Sequence, residues 1–370
     1  LPNEEAWNVD ATYENQNLAK IELNKEVENQ PTETRITKTD ATTGNELEGA
    51  KLQVIDKDGT VVEEWISTEE PHMIRGLLVG ETYTMVETKP ADGYTTAESI
   101  EFKVEDTAEV QKHQMLDDVT KVEISKTDVT DSKEVPGAKL TILDKDGKVV
   151  ESWVSDKDPH MVEKLPVGTY TLREEQAPDG YLVAEEVSFD VKDTGEIQKV
   201  EMKDDVPTGT IIINKNGEFL DKVTALDSVG GWISHLFQYV TGSLKDVTFE
   251  VFALEDVKSA DGESEDYYKK DELVATITTD DTGIAKLSGL PLGKYYVKEK
   301  ETANGYVLDG TAREIDLTYR DQDTAEVTYS SDWQNNRQKA EVKVLKKEKD
   351  SDRVLEGAVF ALCNKEDIVN

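Results

Sequence analysis

The chain has 370 residues, 33% of them charged, and a formal net charge of −37. Such acidity excludes a nucleic-acid partner, because neutralising phosphates needs a basic face. A single cysteine, Cys363, excludes an internal disulfide and leaves two options: a cytosolic chain, or a secreted one stabilised in another way.

Apolar residues recur in strand-like alternation between turn signals, which separates the chain from disordered acidic sequences. The sequence opens at Leu1, with no signal-like segment and no run of about eighteen apolar residues. It reads as a mature or excised segment without direct membrane contact.

Internal repetition sets the architecture. Residues 1–32 are the back end of an earlier repeat. WNVDATYENQNLAKIELNKEVENQP, from Trp7, aligns without a gap to REIDLTYRDQDTAEVTYSSDWQNNR, from Arg313. Unit one (33–119) and unit two (120–207) are close copies: KTDATTGNELEGAKLQVIDKDG from Lys38 matches KTDVTDSKEVPGAKLTILDKDG from Lys126. Later, YTMVETKPADGY from Tyr83 matches YTLREEQAPDGY from Tyr170. Unit three (208–338) keeps the opening strand TIIINK and the segment YYVKEKETANGY from Tyr295, and carries two insertions. Unit four (339–370) is a front end only, with VKVLKKEKDSDRVLEGAVFAL. The chain is thus a window on a tandem array, expected to be monomeric.

Each complete unit reads as all-β. Short strands rich in Val, Ile, Thr and Tyr are separated by turns such as DKDG and PADG. About seven strands in each unit fit a small Greek-key sandwich of two sheets, transthyretin-like or immunoglobulin-like. Trp65 and Trp153 are expected in its core.

Polar residues fall on the apolar faces. On the opening strand Lys38 follows Ile36, Lys126 follows Ile124, Lys215 follows Ile213 and Lys346 follows Val344, each two residues on and so on the same face. Glu87 shares a face with Tyr83 and Met85, Glu174 with Tyr170 and Leu172, and Glu299 with Tyr295 and Val297. On the closing strand Asp117 follows Met115, Asp204 follows Met202 and Asn335 follows Trp333; Asn29 is the matching residue of the N-terminal remnant. Each unit therefore aims a lysine, a glutamate and an Asp or Asn inward. Burial lowers a lysine pKa and raises a carboxylic acid pKa. A neutral lysine is a nucleophile, and a neutral glutamic acid can polarise a carbonyl and move a proton. Face and spacing leave two readings open: an amide between Lys and Asp or Asn, or a buried ion-paired triad with no bond formed.

At these residues the chain resembles the Cna protein B-type, or SpaA-like, domains of Gram-positive surface proteins and pilins. The resemblance rests on the first-strand lysine, the GAKL copies at Gly49 and Gly137 with GAVF at Gly357, and the Y-x-x-x-E segments ending in GY. It implies a spontaneous Lys–Asp or Lys–Asn isopeptide bond: Lys38 to Asp117 with Glu87 catalytic, Lys126 to Asp204 with Glu174, and Lys215 to Asn335 with Glu299. Unit three departs from the pattern, reading INKNG where the others have KTD. Such a bond would let a secreted protein do without disulfides.

Other features read as structural. DKDG at Asp56 and Asp144 lacks the spacing of a calcium loop and reads as a hairpin turn. His72 and His160 have no clustered partner and read as loop packing residues; no metal or cofactor site is expected. In unit three, SVGGWISHLFQYV places Val229, Trp232, Ile233, Leu236 and Val240 at helical spacing, so a short helical insertion is expected, with Trp232, Ile233 and Leu236 a candidate interaction surface. A second insertion from Ser259 reads as a solvated loop.

Three functional readings follow from the repeats and the resemblance. The first is a stalk segment of a cell-wall-anchored, extracellular surface protein. It is not an enzyme, its only chemistry being self-crosslinking. The second is an adhesin module whose third unit binds host extracellular matrix or another surface polymer. The third is a pilin shaft, which would call for a YPK-type lysine and a sorting signal.

Overall fold

In the computed structural model, the described residues are 30–225, 235–340, 342 and 344–360. All regular structure among them is β. They fall into two compact units that divide after Asp204, the short segment Asp179–Leu182 being counted with the second.

The first compact unit holds two sandwiches. The first is built from β1 (Glu33–Asp40), β2 (Lys51–Ile55), β3 (Val61–Ile66), β4 (His72–Arg75), β5 (Thr82–Lys89), β6 (Ile100–Lys103) and β7 (Gln111–Asp117). One sheet runs in the order β3-β2-β5-β6 and the other β4-β1-β7. The chain crosses between sheets three times before β7 returns beside β1. That last pairing is parallel, with Lys38 opposite Met115 and Asp40 opposite Asp117. The second sandwich repeats the plan with β8 (Lys121–Asp128), β9 (Lys139–Leu143), β10 (Val149–Val154), β11 (His160–Glu163), β12 (Gly168–Gln176), β13 (Val187–Val191) and β14 (Ile197–Asp204). Its sheets are β10-β9-β12-β13 and β11-β8-β14, again with first and last strands parallel.

The second compact unit holds one sandwich. Its strands are β15 (Thr208–Ala225), β16 (His235–Ser243), β17 (Thr248–Ala253), β18 (Leu273–Thr278), β19 (Ile284–Pro291), β20 (Gly293–Glu301), β21 (Arg313–Leu317) and β22 (Glu326–Asn335). β15 pairs parallel with β22, antiparallel with β19, and further along its length with β16.

Each core is the inner face of this alternation. In the first it includes Ile36, Leu52, Val54, Met85 and Met115; in the second Ile124, Leu140, Ile142, Leu172 and Met202; in the third Ile211, Ile213, Phe249, Val297 and Trp333. The DKDG segments close hairpins between β2 and β3 and between β9 and β10. In the first, the Asp56 carboxylate accepts the Asp58 and Thr60 amides at 2.9 and 2.8 Å.

Three expectations change. Where it is described, from His235 on, the expected helical insertion is strand: Leu236 and Val240 lie on β16, opposite Thr224 and Phe219. Residues four apart also satisfy the two-residue period of a strand, and the flanking Phe237, Tyr239 and Val240 favour extended backbone. Val229, Trp232 and Ile233 lie outside the described residues. Trp65 and Trp153 pack against their cores but stay partly buried, because β3 and β10 are edge strands. In unit four, Val342, Val344 and Lys346 are all exposed, since among the described residues no second sheet faces them. The insertion from Ser259 is partly solvated, with Val257 bridged to Tyr268 at its base.

Candidate functional site: a buried lysine triad in each sandwich

The two-residue period of β1 carries Lys38 inward after Thr34 and Ile36, and its side chain is 2% exposed. β7 brings Asp117 in from the neighbouring strand, and β5 brings Glu87 from the facing sheet, both with fully buried side chains. Lys38 Nζ contacts Asp117 Oδ1 and lies 2.8 Å from Glu87 Oε1. The other glutamate oxygen accepts the Ala97 amide at 2.6 Å, which fixes the carboxyl group.

The second sandwich repeats this closely. Lys126 Nζ contacts Asp204 Oδ1 and lies 3.3 Å from Glu174 Oε1, while Glu174 Oε2 accepts the Ala184 amide at 2.6 Å. Oδ2 of Asp117 and of Asp204 is buried and receives no hydrogen bond. Burial pushes both aspartates up to about 7. The neighbouring lysine opposes the shift and the neighbouring glutamate adds to it. At neutral pH a large share of each aspartate, about half, is therefore the neutral acid.

The third triad has an amide in place of the acid. Lys215 Nζ donates to Asn335 Oδ1 at 2.7 Å and to Glu299 Oε2 at 2.8 Å. Burial lowers the Lys215 pKa, with Glu299 acting against the shift. Asn335 Nδ2 donates to Glu299 Oε1 at 2.5 Å and to Thr302 Oγ1 at 2.7 Å. The aromatic faces of Phe249 and Trp333 lie 5.6 and 5.8 Å from the ammonium.

The structure thus assembles all three complete triads expected from the sequence. Asn29 lies outside the described residues, and among those described Lys346 is exposed and has no such company. Thr302 escaped the sequence reading. Its signal is that it stands where the other copies have Pro90 and Ala177: an Asn acceptor carries N–H groups that an Asp lacks, and the threonine hydroxyl takes one of them.

His72 and His160 begin strands β4 and β11 rather than sitting in loops. Each stacks on a tryptophan, at 4.3 Å from Trp65 and 4.4 Å from Trp153, and bonds Glu63 or Glu151 through Nε2. These stacks join the edges of the two sheets. Among the described residues no three His, Cys, Asp or Glu side chains gather as metal ligands.

Fold and site together define a tandem of prealbumin-like sandwiches with a lysine–carboxyl or lysine–carboxamide triad between the sheets. A family model described as SpaA: Prealbumin-like fold domain matches residues 32–118, 120–206 and 238–333. The chain belongs to this family. Among solved structures it is similar to the Bacillus anthracis TIE protein, at 24% identity and a TM-score of 0.50, over 83% of this chain and 51% of that one. The chain therefore spans about half the length of that protein. It is also similar to BcpA, the major pilin subunit of Bacillus cereus, at 16% identity and a TM-score of 0.41, over 84% of this chain and all of that one. No curated protein sequence matches the chain.

Proposed function

We propose that the chain is a stalk segment of an extracellular, cell-wall-anchored bacterial surface protein, in which each complete sandwich seals itself with one intramolecular amide. The observation that carries this reading is the dry contact of Lys38 with an aspartate held near neutrality, repeated at Lys126 and Asp204.

The chemistry balances within each triad. Glu87 takes a proton from the Lys38 ammonium, and the freed amine attacks the carbonyl carbon of the neutral Asp117 acid. The C–O bond to the hydroxyl breaks, Glu87 gives its proton to that oxygen and takes the second proton from the attacking nitrogen, and water leaves behind a neutral amide and a protonated Glu87. In the third sandwich the Lys215 amine attacks the Asn335 carboxamide. Glu299 relays a proton from the attacking nitrogen to Nδ2, the C–Nδ2 bond breaks, and ammonia leaves. Folding holds the reactants in contact, so the step is effectively unimolecular. Each triad reacts once, so the chain does not turn over as an enzyme does.

Intact mass spectrometry of the folded chain tests the proposal. The expected mass is lower than the sequence mass by two waters and one ammonia. A mass equal to that of the sequence overturns the crosslinking.

A second reading is favoured by the β15–β16 hairpin, whose Leu236, Phe237 and Val240 are about half exposed. On this reading the third sandwich also binds host matrix or another surface polymer. Replacing Leu236 and Phe237 with serine is then expected to abolish retention on immobilised matrix proteins, while unchanged retention, or none by the parent chain, leaves the stalk role alone.

A further inference from the structure

The first compact unit contains a joint between two sandwiches, and its chemistry is independent of the triads. The turn before β12 holds Lys164 at φ +63°, in the left-handed region that side chains other than glycine rarely adopt. The matching turns of the other two sandwiches place glycine there, Gly76 at φ +83° and Gly289 at φ +74°. A lysine in that position is strained, and strain of this kind persists where surrounding contacts hold it.

Those contacts come from the preceding sandwich. Lys164 Nζ donates to the Tyr94 hydroxyl at 2.8 Å, and Tyr94 donates in turn to Asp40 Oδ2 at 2.8 Å. The Thr43 amide, the Tyr94 hydroxyl and the Thr42 amide hold the Asp40 carboxyl at a pKa of about 2, against the effect of its burial. The anion is therefore present at any physiological pH. The backbones meet as well. The Thr120 amide, at the start of the second unit, donates to Gly93 O at 3.1 Å. Within the second unit the Lys164 amide donates to Thr120 O and Thr120 Oγ1 to Leu165 O, as Gly76 and Thr32 do in the first, so Thr120 ties the turn to the joint. A Cβ on Gly93 would come within 2.4 Å of Lys164 O, so only glycine permits this approach. Elsewhere on the joint Asp193 accepts both the Thr96 amide, at 2.8 Å, and the Thr96 hydroxyl, at 2.7 Å.

We infer that the end face formed by Asp40, Gly93, Tyr94 and Thr96 is a docking surface for the following repeat, and that Lys164 is the residue that fits the second sandwich to it. A glycine at this turn, as in the other copies, cannot reach the Tyr94–Asp40 pair, so the lysine gives this joint a fixed geometry of its own.

Amide hydrogen exchange on the full chain tests the inference, with Lys164→Gly and Tyr94→Phe as variants. Lys164→Gly relieves the left-handed strain, so the second sandwich itself keeps its protection. Exchange at the Thr120 and Thr96 amides, which bond across the joint, is expected to rise roughly tenfold, the loss of a hydrogen bond to a charged group. Tyr94→Phe keeps the ring and should produce the same local rise. Unchanged exchange at both amides in either variant overturns the inference. So does a rise in Lys164→Gly that extends through β8 and β12, which would make Lys164 a support of its own fold.

Discussion

Glu87→Ala is expected to return one water to the mass of the chain and to leave the first sandwich without its covalent closure. The bond would join residues 79 positions apart in sequence. Closing a loop of this size stabilises a fold by on the order of 4–5 kcal/mol in the chain-entropy model used for disulfides. For a domain of this length each kcal/mol corresponds to about 4–8 °C in Tm, so the first sandwich should melt roughly 20 °C or more below its parent. The alanine also removes the acceptor of the Ala97 amide, which adds to the loss. Glu87→Gln separates the two effects. It keeps the shape of the side chain and an oxygen for Ala97 but cannot carry the proton, so it too should restore the water. Calorimetry combined with intact mass reads both quantities. A variant that still lacks the water would remove Glu87 from the chemistry, whatever its stability.

Lys38→Met should make the stability of the first sandwich depend strongly on pH. The variant has no amine, so Asp117 keeps a free carboxyl in the core. Burial raises the Asp117 pKa from 3.8 to about 7 in the intact triad, and Lys38 is among the groups that hold it down. Without the lysine it rises further. A raised pKa means that the folded state holds the proton more tightly than the unfolded chain. The stability this contributes is complete below pH 3.8 and is lost as pH rises through 7. The span from 3.8 to about 7 corresponds to about 4 kcal/mol. Denaturant melts of Lys38→Met should therefore show a steep decline from acid to neutral pH. If the proposed amide joins Lys38 and Asp117 in the parent, neither group titrates and this decline should be absent from the parent. A pH-independent Lys38→Met variant would mean that Asp117 is not the buried acid described above.

The inward lysines, glutamates and acid or amide partners were legible because a strand has a period of two. Once Ile36 and Met85 are assigned to the core, Lys38 and Glu87 must follow them inward. Which sheet each strand joins was not legible. Period separates inside from outside but carries no information on whether Glu87 comes from beside Lys38 or from across the core. The repeats helped where copies agree and misled where they differ. Leu236 and Val240 fit a helix and a strand equally well, and with no second copy of the insertion to compare, spacing alone could not decide. Thr302 and Lys164 were both visible as departures from the other copies, at Pro90 and Gly76. Their meaning depends on groups distant in sequence: the carboxamide of Asn335, and a tyrosine in the preceding repeat.

The parallel pairing of β1 with β7 puts the entry and the exit of the first sandwich at opposite ends. Pulled straight, the 79-residue stretch between Lys38 and Asp117 would have a contour of about 270 Å. With the amide in place none of that length can pay out, and the same holds for the stretches closed by Lys126 and Lys215. Tension along the array would run through the clamped strands and the short connections between repeats, leaving the rest of each sandwich slack. Such a tether would be close to inextensible. It would transmit a tug at its tip rather than absorb it, and what give it has would lie in joints without a strut such as Lys164.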